Sequence, residues 1–217
     1  NLEELEETVE EEDADLGIAT DMDGDRVKIY KNGFISGNKL FSIFSHVMDS
    51  DIVASIDTSE TVEETASSQA NSVTYTRVGD PFVLEKALEE EVELAGEPNG
   101  HYAFLHFIPY PSGTLSGILA SGLDLENHLS ELPETRIKRK NIKVQDKEQK
   151  IEALKKTVRN KHEVLSEIDG IKFRENNTQT LVRTSGSSPK IRIISESKNT
   201  EEAKKMVKEV EEIIRNA

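Results

Sequence analysis

The sequence predicts an α/β protein: a mixed-sheet α/β domain followed by a smaller α+β C-terminal domain, with the tail of another α/β domain in front. Three observations carry this prediction. Short apolar runs of strand length alternate with helical periodicity between residues 26 and 135. After residue 136 the order changes to strand, helix, three strands and a last helix. The charge changes at the same place: residues 1–135 hold 29 Asp/Glu against 6 Lys/Arg, whereas residues 136–217 hold 13 against 21, so −23 gives way to +8 in a chain of net charge −15.

Taken in order, Leu2, Leu5 and Val9 stand at helical spacing among glutamates and predict a surface helix over 2–10. Leu16-Gly17-Ile18-Ala19 has strand length, and an acidic loop, Asp21-Met22-Asp23-Gly24-Asp25-Arg26, follows at once. Helix, strand and loop read as half of a βαβ unit whose partner strands lie upstream. The chain opens on Asn1, which reads as a fragment or a processed product. VKIY (27–30) then leads to a helix with Leu40, Phe41, Phe44 and Val47. IVASI (52–56) leads to a helix near 59–69, and SVTYTRV (72–78) passes through Gly79-Asp80-Pro81 to a helix with Val83, Leu84, Ala87 and Leu88. VELAG (92–96), the loop 97–101, YAFLHF (102–107) and a helix over about 112–123 complete this part. Three strand–helix repeats with short turns predict one mixed sheet covered by helices.

Residues 136–145 read as a basic linker running into a strand at Ile142 and Val144. A helix is expected over about 146–166, with Ile151, Leu154, Val158 and Leu165 on one face. Asp169-Gly170 is a turn; IKF (171–173), TLVR (180–183) and KIRII (190–194) are strands. Asn199 and Glu202 have capping-box spacing before a helix whose apolar face is Ala203, Val207, Val210 and Ile214.

Composition excludes several functions. Without cysteine there is no disulfide framework, zinc ribbon or thiol catalysis. No apolar run approaches the roughly 18–20 residues that span a bilayer, and the glutamate-rich start is the opposite of a signal peptide. A cytoplasmic protein without membrane partners is expected. Net acidity disfavours nucleic acid, and the basic C-terminal part mixes Asp146, Glu148, Glu152 and Glu163 with its lysines, which suits a solvated face better than a phosphate track.

Three loops could carry chemistry. In Asp21-x-Asp23-x-Asp25-Arg26, alternate carboxylates on a tight loop converge on one point, and Gly24 permits the sharp path. Three oxygen donors with open positions suit Mg²⁺; a polar surface turn with capping aspartates is the alternative. The spacing also matches the start of an EF-hand loop, but Arg26 and Asn32 stand where that motif needs Gly and Glu. In Gly96-Glu97-Pro98-Asn99-Gly100-His101, a carboxylate and an amide suit paired sugar hydroxyls, and an imidazole can move a proton near neutral pH; an ordinary hairpin loop is the alternative. Arg183-Thr184-Ser185-Gly186-Ser187-Ser188-Pro189-Lys190 joins an Arg fork, hydroxyls and a glycine, as a phosphate site does, and equally reads as a Ser/Gly turn.

In this order the three loops resemble the α-D-phosphohexomutase family, the phosphomannomutase/phosphoglucomutase and phosphoglucosamine mutase enzymes, with flanking phrases most like archaeal members. The family's metal loop D-G-D-G/A-D-R stands here as DMDGDR (21–26), its sugar loop G-E-x-S-G-H as GEPNGH (96–101) and its phosphate loop R-x-S-G-T-E-P as RTSGSSP (183–189). Its T/R-x-V-G-D segment stands as Arg77-Val78-Gly79-Asp80. The resemblance implies residues 1–25 as the end of domain 2, 26–135 as domain 3 and 136–217 as domain 4 of four. It implies transfer of phosphate between the 1- and 6-positions of a hexose through a phosphoserine enzyme. Asp21, Asp23 and Asp25 would hold Mg²⁺, with Arg26 and His101 in catalysis. Gly79, Asp80, Glu97, Asn99, His101, Arg183, Ser185, Gly186 and Ser187 would bind the phosphorylated hexose. The departures are Met22 for Gly, Asn99 for Ser, Ser187 for Thr and Ser188 for Glu. The family's nucleophile motif, S-H-N-P, has no counterpart, since Ser45-His46 continues Val-Met in a helical pattern. The chain is therefore expected to lack the N-terminal half and to be inactive alone; a non-catalytic sugar-phosphate-binding module is the alternative. The acidic and basic segments are expected to form two sides of one cleft.

Overall fold

The computed structural model describes residues 2–186 and 188–217, and the chain divides into two units, residues 1–133 and 134–217. In the first unit, helix α1 (Leu2–Glu11) precedes a small antiparallel sheet of β1 (Gly17–Thr20), β2 (Val27–Tyr30) and β3 (Phe34–Ile35). Within this chain β1 pairs with the downstream β2, a partner the βαβ reading did not name: Gly17 pairs with Tyr30 and Thr20 with Val27. The acidic loop turns the chain back on itself because Gly24 takes φ +74. The N-terminal glutamates are not all idle surface. Tyr30 donates its hydroxyl to Glu6 and Glu10 of α1, and burial together with these carboxylates pushes its phenol up to about 12.

The chain continues through α2 (Gly37–Met48), β4 (Ile52–Ser55), α3 (Glu60–Ser68), β5 (Val73–Thr76), α4 (Asp80–Glu89), β6 (Leu94–Gly96), β7 (Tyr102–Phe104), α5 (Gly113–Ser121) and α6 (Leu125–Glu131). The sheet order is β5-β4-β6-β7, with β4 parallel to β5 and β6 and β7 antiparallel to β6. VKIY, expected in this mixed sheet, belongs instead to the small sheet with β1. The strand period of two explains how helices cover both faces. Ile52, Ala54 and Leu94 are buried in one cluster with Leu40, Phe41 and Phe44 of α2. Val53 and Ala95 are buried in another with Val83 and Ala87 of α4. Each such Phe or Leu contributes about 1.5–3 kcal/mol of apolar burial. YAFLHF is shorter as a strand than expected because the Phe104 carbonyl accepts the N–H groups of Phe107 and Ile108 and turns the chain.

The second unit is an antiparallel sheet with two helices: β8 (Arg136–Lys143), α7 (Lys147–Lys161), β9 (Glu163–Ser166), β10 (Ile171–Glu175), β11 (Thr178–Thr184), β12 (Lys190–Ser197) and α8 (Thr200–Asn216), in strand order β8-β12-β11-β10-β9. Its core joins Ile151, Leu154 and Val158 of α7 and Val207, Val210 and Ile214 of α8 to Phe173, Val182 and Ile193 of the strands.

Two expectations are corrected here. The basic stretch is no linker: β8 pairs with β12 from Arg136 to Lys143. It is an edge strand with Ile142 as its buried residue, so its Lys/Arg content, which blunts an edge, hid its strand character. The helix expected to reach residue 166 ends at Lys161, and His162 is extended at φ −130, ψ 159. Val164 then joins the core from a strand, and Leu165 is left 37% exposed. Asn199 does cap α8, accepting the Glu201 N–H. Glu202, however, accepts from the Ser197 hydroxyl, and Ser197 accepts the Asn199 N–H, so the box closes through a serine. Among the described residues, no helix is long and apolar enough to cross a membrane.

Candidate functional site

In the first unit the Gly79-Asp80 turn and the 96–101 loop follow β5 and β6 on the carboxyl side of the parallel strands, where open α/β sheets bind ligands, and the acidic loop joins β1 to β2 of the small antiparallel sheet. The acidic loop closes by a hydrogen bond from the Gly24 N–H to the Asp21 carbonyl at 3.2 Å, and the Gly113 N–H at the start of α5 donates to the Gly24 carbonyl at 2.8 Å. Gly113 packs so tightly that a Cβ on it would lie 2.2 Å from the Arg26 carbonyl oxygen.

This bracing gathers the carboxylates. Asp21, Asp23 and Asp25 each place an oxygen within 4.8 Å of the others. The Arg26 backbone N–H donates to Asp21 Oδ1 at 3.2 Å, and the Arg26 Nε lies 3.4 Å from Asp21 Oδ2. Desolvation works against the Asp21 anion, yet the Arg26 N–H and guanidinium outweigh it and hold the carboxyl below its ordinary value. Asp25 Oδ1 is buried and has no hydrogen-bond partner, with the Arg26 Nε 3.9 Å away. A buried carboxylate oxygen without a donor is costly unless a cation faces it. An all-oxygen set with that unmet acceptor fits a hard divalent ion such as Mg²⁺.

The 96–101 loop is organised around a buried carboxylate. Glu97 is 3% and His101 4% exposed. Glu97 Oε1 accepts the Gly79 N–H at 2.8 Å, and Oε2 accepts the Asn99 amide at 3.3 Å and faces His101 Nδ1 at 3.3 Å. Asn99, itself exposed, accepts the His101 N–H at 3.1 Å through its side-chain oxygen. Burial opposes the Glu97 anion, but the His101, Gly79 and Asn99 donors hold it below its ordinary value. Asp80, Glu97 and His101 place donor atoms within 4.8 Å of one another. Thus the Val-Gly-Asp turn and the 96–101 loop are one assembly, with Arg77 beside it stacked 3.7 Å over the Phe82 ring.

His101 joins this assembly to the acidic loop. Its Nε2 lies 3.0 Å from Asp25 Oδ2 and 3.0 Å from Arg26 Nε. The two contacts exclude each other chemically. A neutral ring with its proton on Nδ1 accepts from Arg26, whereas a charged ring donates to Asp25. Burial opposes that charge, yet Glu97 and Asp25 prevail and raise the His101 value. The backbone follows the same seam: Arg26 forms a β-bridge with His101, and the Val27 N–H donates to the Gly100 carbonyl. Gly100 sits at φ +111, where a Cβ would be 2.6 Å from the Val27 carbonyl oxygen.

In the second unit, Arg183 stands next to last in β11 only 9% exposed, and its Nε donates to Asp169 at 2.8 Å. The pair fixes the guanidinium plane through Nε, and a fixed plane favours a two-pronged grip on phosphate. Ser185 is buried; its N–H donates to the Lys190 carbonyl and its hydroxyl accepts from Ser188 at 2.9 Å. Lys147, at the start of α7, donates to the Ser185 carbonyl at 2.7 Å. Gly186 is exposed with open space where a side chain would stand. Ser187 lies outside the described residues.

Asp21, Asp23, Asp25, Arg26, Gly79, Asp80, Glu97, Asn99 and His101 thus meet in one unit, and Arg183, Ser185 and Gly186 in the other. Gly113, Lys147 and Asp169 were not singled out from the sequence. Only Asp169 carried a signal, as half of a turn. A Cβ on its neighbour Gly170 would be 2.1 Å from the Val182 carbonyl oxygen, so the turn is pressed onto the strand that carries Arg183.

An α/β unit with a metal-type acidic loop and an α+β unit with an anion loop define a class, and known proteins identify it. Residues 36–139 match phosphoglucomutase/phosphomannomutase, alpha/beta/alpha domain III, and residues 140–213 match the phosphoglucomutase/phosphomannomutase C-terminal domain. The chain belongs to the phosphoglucomutase/phosphomannomutase family. It is 34% identical to the "Probable phosphoglucosamine mutase" of Methanococcoides burtonii, over 100% of this chain and 52% of that protein. A phosphoglucomutase/phosphomannomutase family protein from Burkholderia thailandensis has the same fold, with TM-score 0.83 and 20% identity over 100% of this chain and 50% of that one. Aspergillus fumigatus N-acetylphosphoglucosamine mutase, solved in complex with GlcNAc-6P and magnesium, aligns with TM-score 0.65 and 13% identity over 91% of this chain and 51% of that one. The chain spans about half the length of the curated relatives it matches.

Proposed function

We propose that this chain is the metal-, sugar- and phosphate-binding portion of a phosphohexomutase that interconverts hexose 1-phosphate and 6-phosphate, with an amino sugar phosphate as its substrate class. In this reading residues 1–25 correspond to the end of domain 2, 26–135 to domain 3 and 136–217 to domain 4. The observation that carries it is the contact of Asp25 with His101 at 3.0 Å, which couples the acidic loop to the sugar loop within one unit.

Asp21, Asp23 and Asp25 hold Mg²⁺, and the buried Asp25 Oδ1, which accepts no hydrogen bond, supports this assignment. When bound, the ion supplies charge to offset that of a transferring phosphoryl group. His101 holds a proton at Nε2 against Asp25 and can release it toward the substrate, after which Nε2 accepts from Arg26. Glu97 positions that ring through Nδ1, and with Gly79 and Asp80 it shapes the pocket wall. Asn99, exposed beside it, meets the sugar hydroxyls. Arg183, Ser185, Gly186 and Ser187 hold the phosphate that is not transferred. The phosphoserine donor belongs to sequence outside these residues, and the chain alone does not turn over.

The test is direct. Calorimetric titration is expected to detect Mg²⁺ on the chain and to lose it in Asp25→Asn. Glucose 1,6-bisphosphate and a hexose 1-phosphate added to the chain give no 6-phosphate, and a protein comprising the N-terminal half restores turnover in trans. Formation of 6-phosphate by the chain alone would overturn the reading. Mg²⁺ and sugar phosphate binding with no rescue would favour a non-catalytic binding module.

A further inference from the structure

A third cluster of metal-ligand side chains lies in the first unit, apart from all the loops described above. His46 occupies the last turn of α2, and His128 and Glu131 lie three residues apart on α6, so both face α2 from the same side. The three side chains place donor atoms within 4.8 Å of one another. The two imidazoles lie with ring centroids 5.7 Å apart and edge toward face. They line a cavity of about 270 Å³ together with Ile43, Thr65 and Glu64, so a second carboxylate faces the same space.

We propose that His46, His128 and Glu131 bind a borderline divalent transition-metal ion of the Zn²⁺ class, stapling the end of α2 to α6. The donor set decides the class. Two imidazoles and one carboxylate are the ligands zinc takes in open sites, with water or another ligand in the fourth position. Hard Mg²⁺ prefers oxygen and retains water, so it has no preference for this site over the acidic loop. A tetrahedral zinc with bonds of about 2.0–2.1 Å sets its ligand atoms roughly 3.4 Å apart. The present separation closes to that by side-chain rotation, which the exposed Glu131 permits. The cavity leaves room for the fourth ligand.

The site is independent of the loops that bind Mg²⁺ and substrate. The start of α2 packs on the sugar loop, where a Cβ on Gly37 would lie 2.0 Å from the Pro98 carbonyl oxygen. His46 stands nine residues further along the helix, about 14 Å at 1.5 Å per residue. The ion would thus act on the far end of the helix that buttresses the sugar loop.

The experiment is equilibrium dialysis of the 217-residue chain against Zn²⁺ in excess Mg²⁺, with metal counted by mass spectrometry. The same chain carrying Asp21→Asn and Asp25→Asn removes the acidic loop as a competing site. One equivalent of Zn²⁺ is expected in both proteins. His46→Ala with His128→Ala is expected to lower its affinity at least about tenfold. Glu131→Gln, on an exposed residue that does not threaten the fold, is expected to weaken it less. Co²⁺ is expected to give a visible d–d band that disappears in the double His variant. Zn²⁺ lost with the Asp→Asn changes, retained in the double His variant, or never bound stoichiometrically would overturn the proposal.

Discussion

The two candidate binding regions are built in opposite ways. In the first unit, the acidic loop and the sugar loop are separated by some 70 residues and meet only through folding. A chain from the buried Glu97 and His101 to the half-buried Asp25, a backbone bridge and two crowded glycines then lock them together. In the second unit, Arg183, Ser185 and Gly186 are neighbours on one hairpin, held by one ion pair, one hydroxyl pair and the Lys147 amine. The first region depends on a buried polar network, in which each member is expensive to remove. The second depends on local geometry with few buried charges. Damage should therefore spread in the first region and stay local in the second.

The strongest way to break this contrast is Glu97→Ala. It leaves the Gly79 N–H, the Asn99 amide and the His101 ring without their acceptor, and it is expected to cost about 3–5 kcal/mol. Hydrogen exchange should report a loss of that order in residues 1–133, and a cost below about 1 kcal/mol would mean the network is not what holds the loops. Gly113→Ala comes next. Its Cβ must displace the Arg26 carbonyl, for about 1–3 kcal/mol, and calorimetry should find weaker Mg²⁺ binding beside the lowered melting temperature.

Asp169→Ala tests the second region. The pair is partly exposed, so the expected cost is about 1–2 kcal/mol. The readouts are the denaturant midpoint and the affinity for inorganic phosphate, which should fall as the guanidinium loses its fixed plane.

Acid sharpens the contrast further. Glu97 is held below its ordinary 4.5 in the folded chain, so its stabilisation is fully present above pH 4.5 and is lost as pH falls through the depressed folded value. Protection in residues 1–133 should weaken across that acid range in wild type. Glu97→Gln should flatten this part of the profile. Ser188→Ala should do least, within about 0.5 kcal/mol, because it removes one hydroxyl contact on a half-exposed turn.

Much of the second region could be read along the chain. Arg183 through Lys190 are consecutive, and a hairpin with Ser and Gly has few conformations to choose from. The types of residue at the first region were equally visible, since Asp21, Asp23 and Asp25 alternate and Glu97, Asn99 and His101 crowd one turn. What could not be read was that His101 faces Asp25, because a contact over that separation depends on how β1 pairs with β2 and where β6 sits. The pairing of β1 with β2 shows the same limit. Strand length and apolarity predict that 17–20 pairs, but not with whom. Likewise, Glu163–Ser166 continued the apolar helical spacing of α7 and became a strand, because tertiary pairing with β10 overrode a periodicity of one residue.

Composition and local pattern were thus enough for the class of fold, the loops and the donor types, since helix and strand periods and ligand chemistry belong to nearby residues. Packing alone supplied the Glu97 hub, the Arg183–Asp169 pair and the meeting of His46 with His128. Those are distances between residues far apart in sequence, and the same local pattern is compatible with many of them.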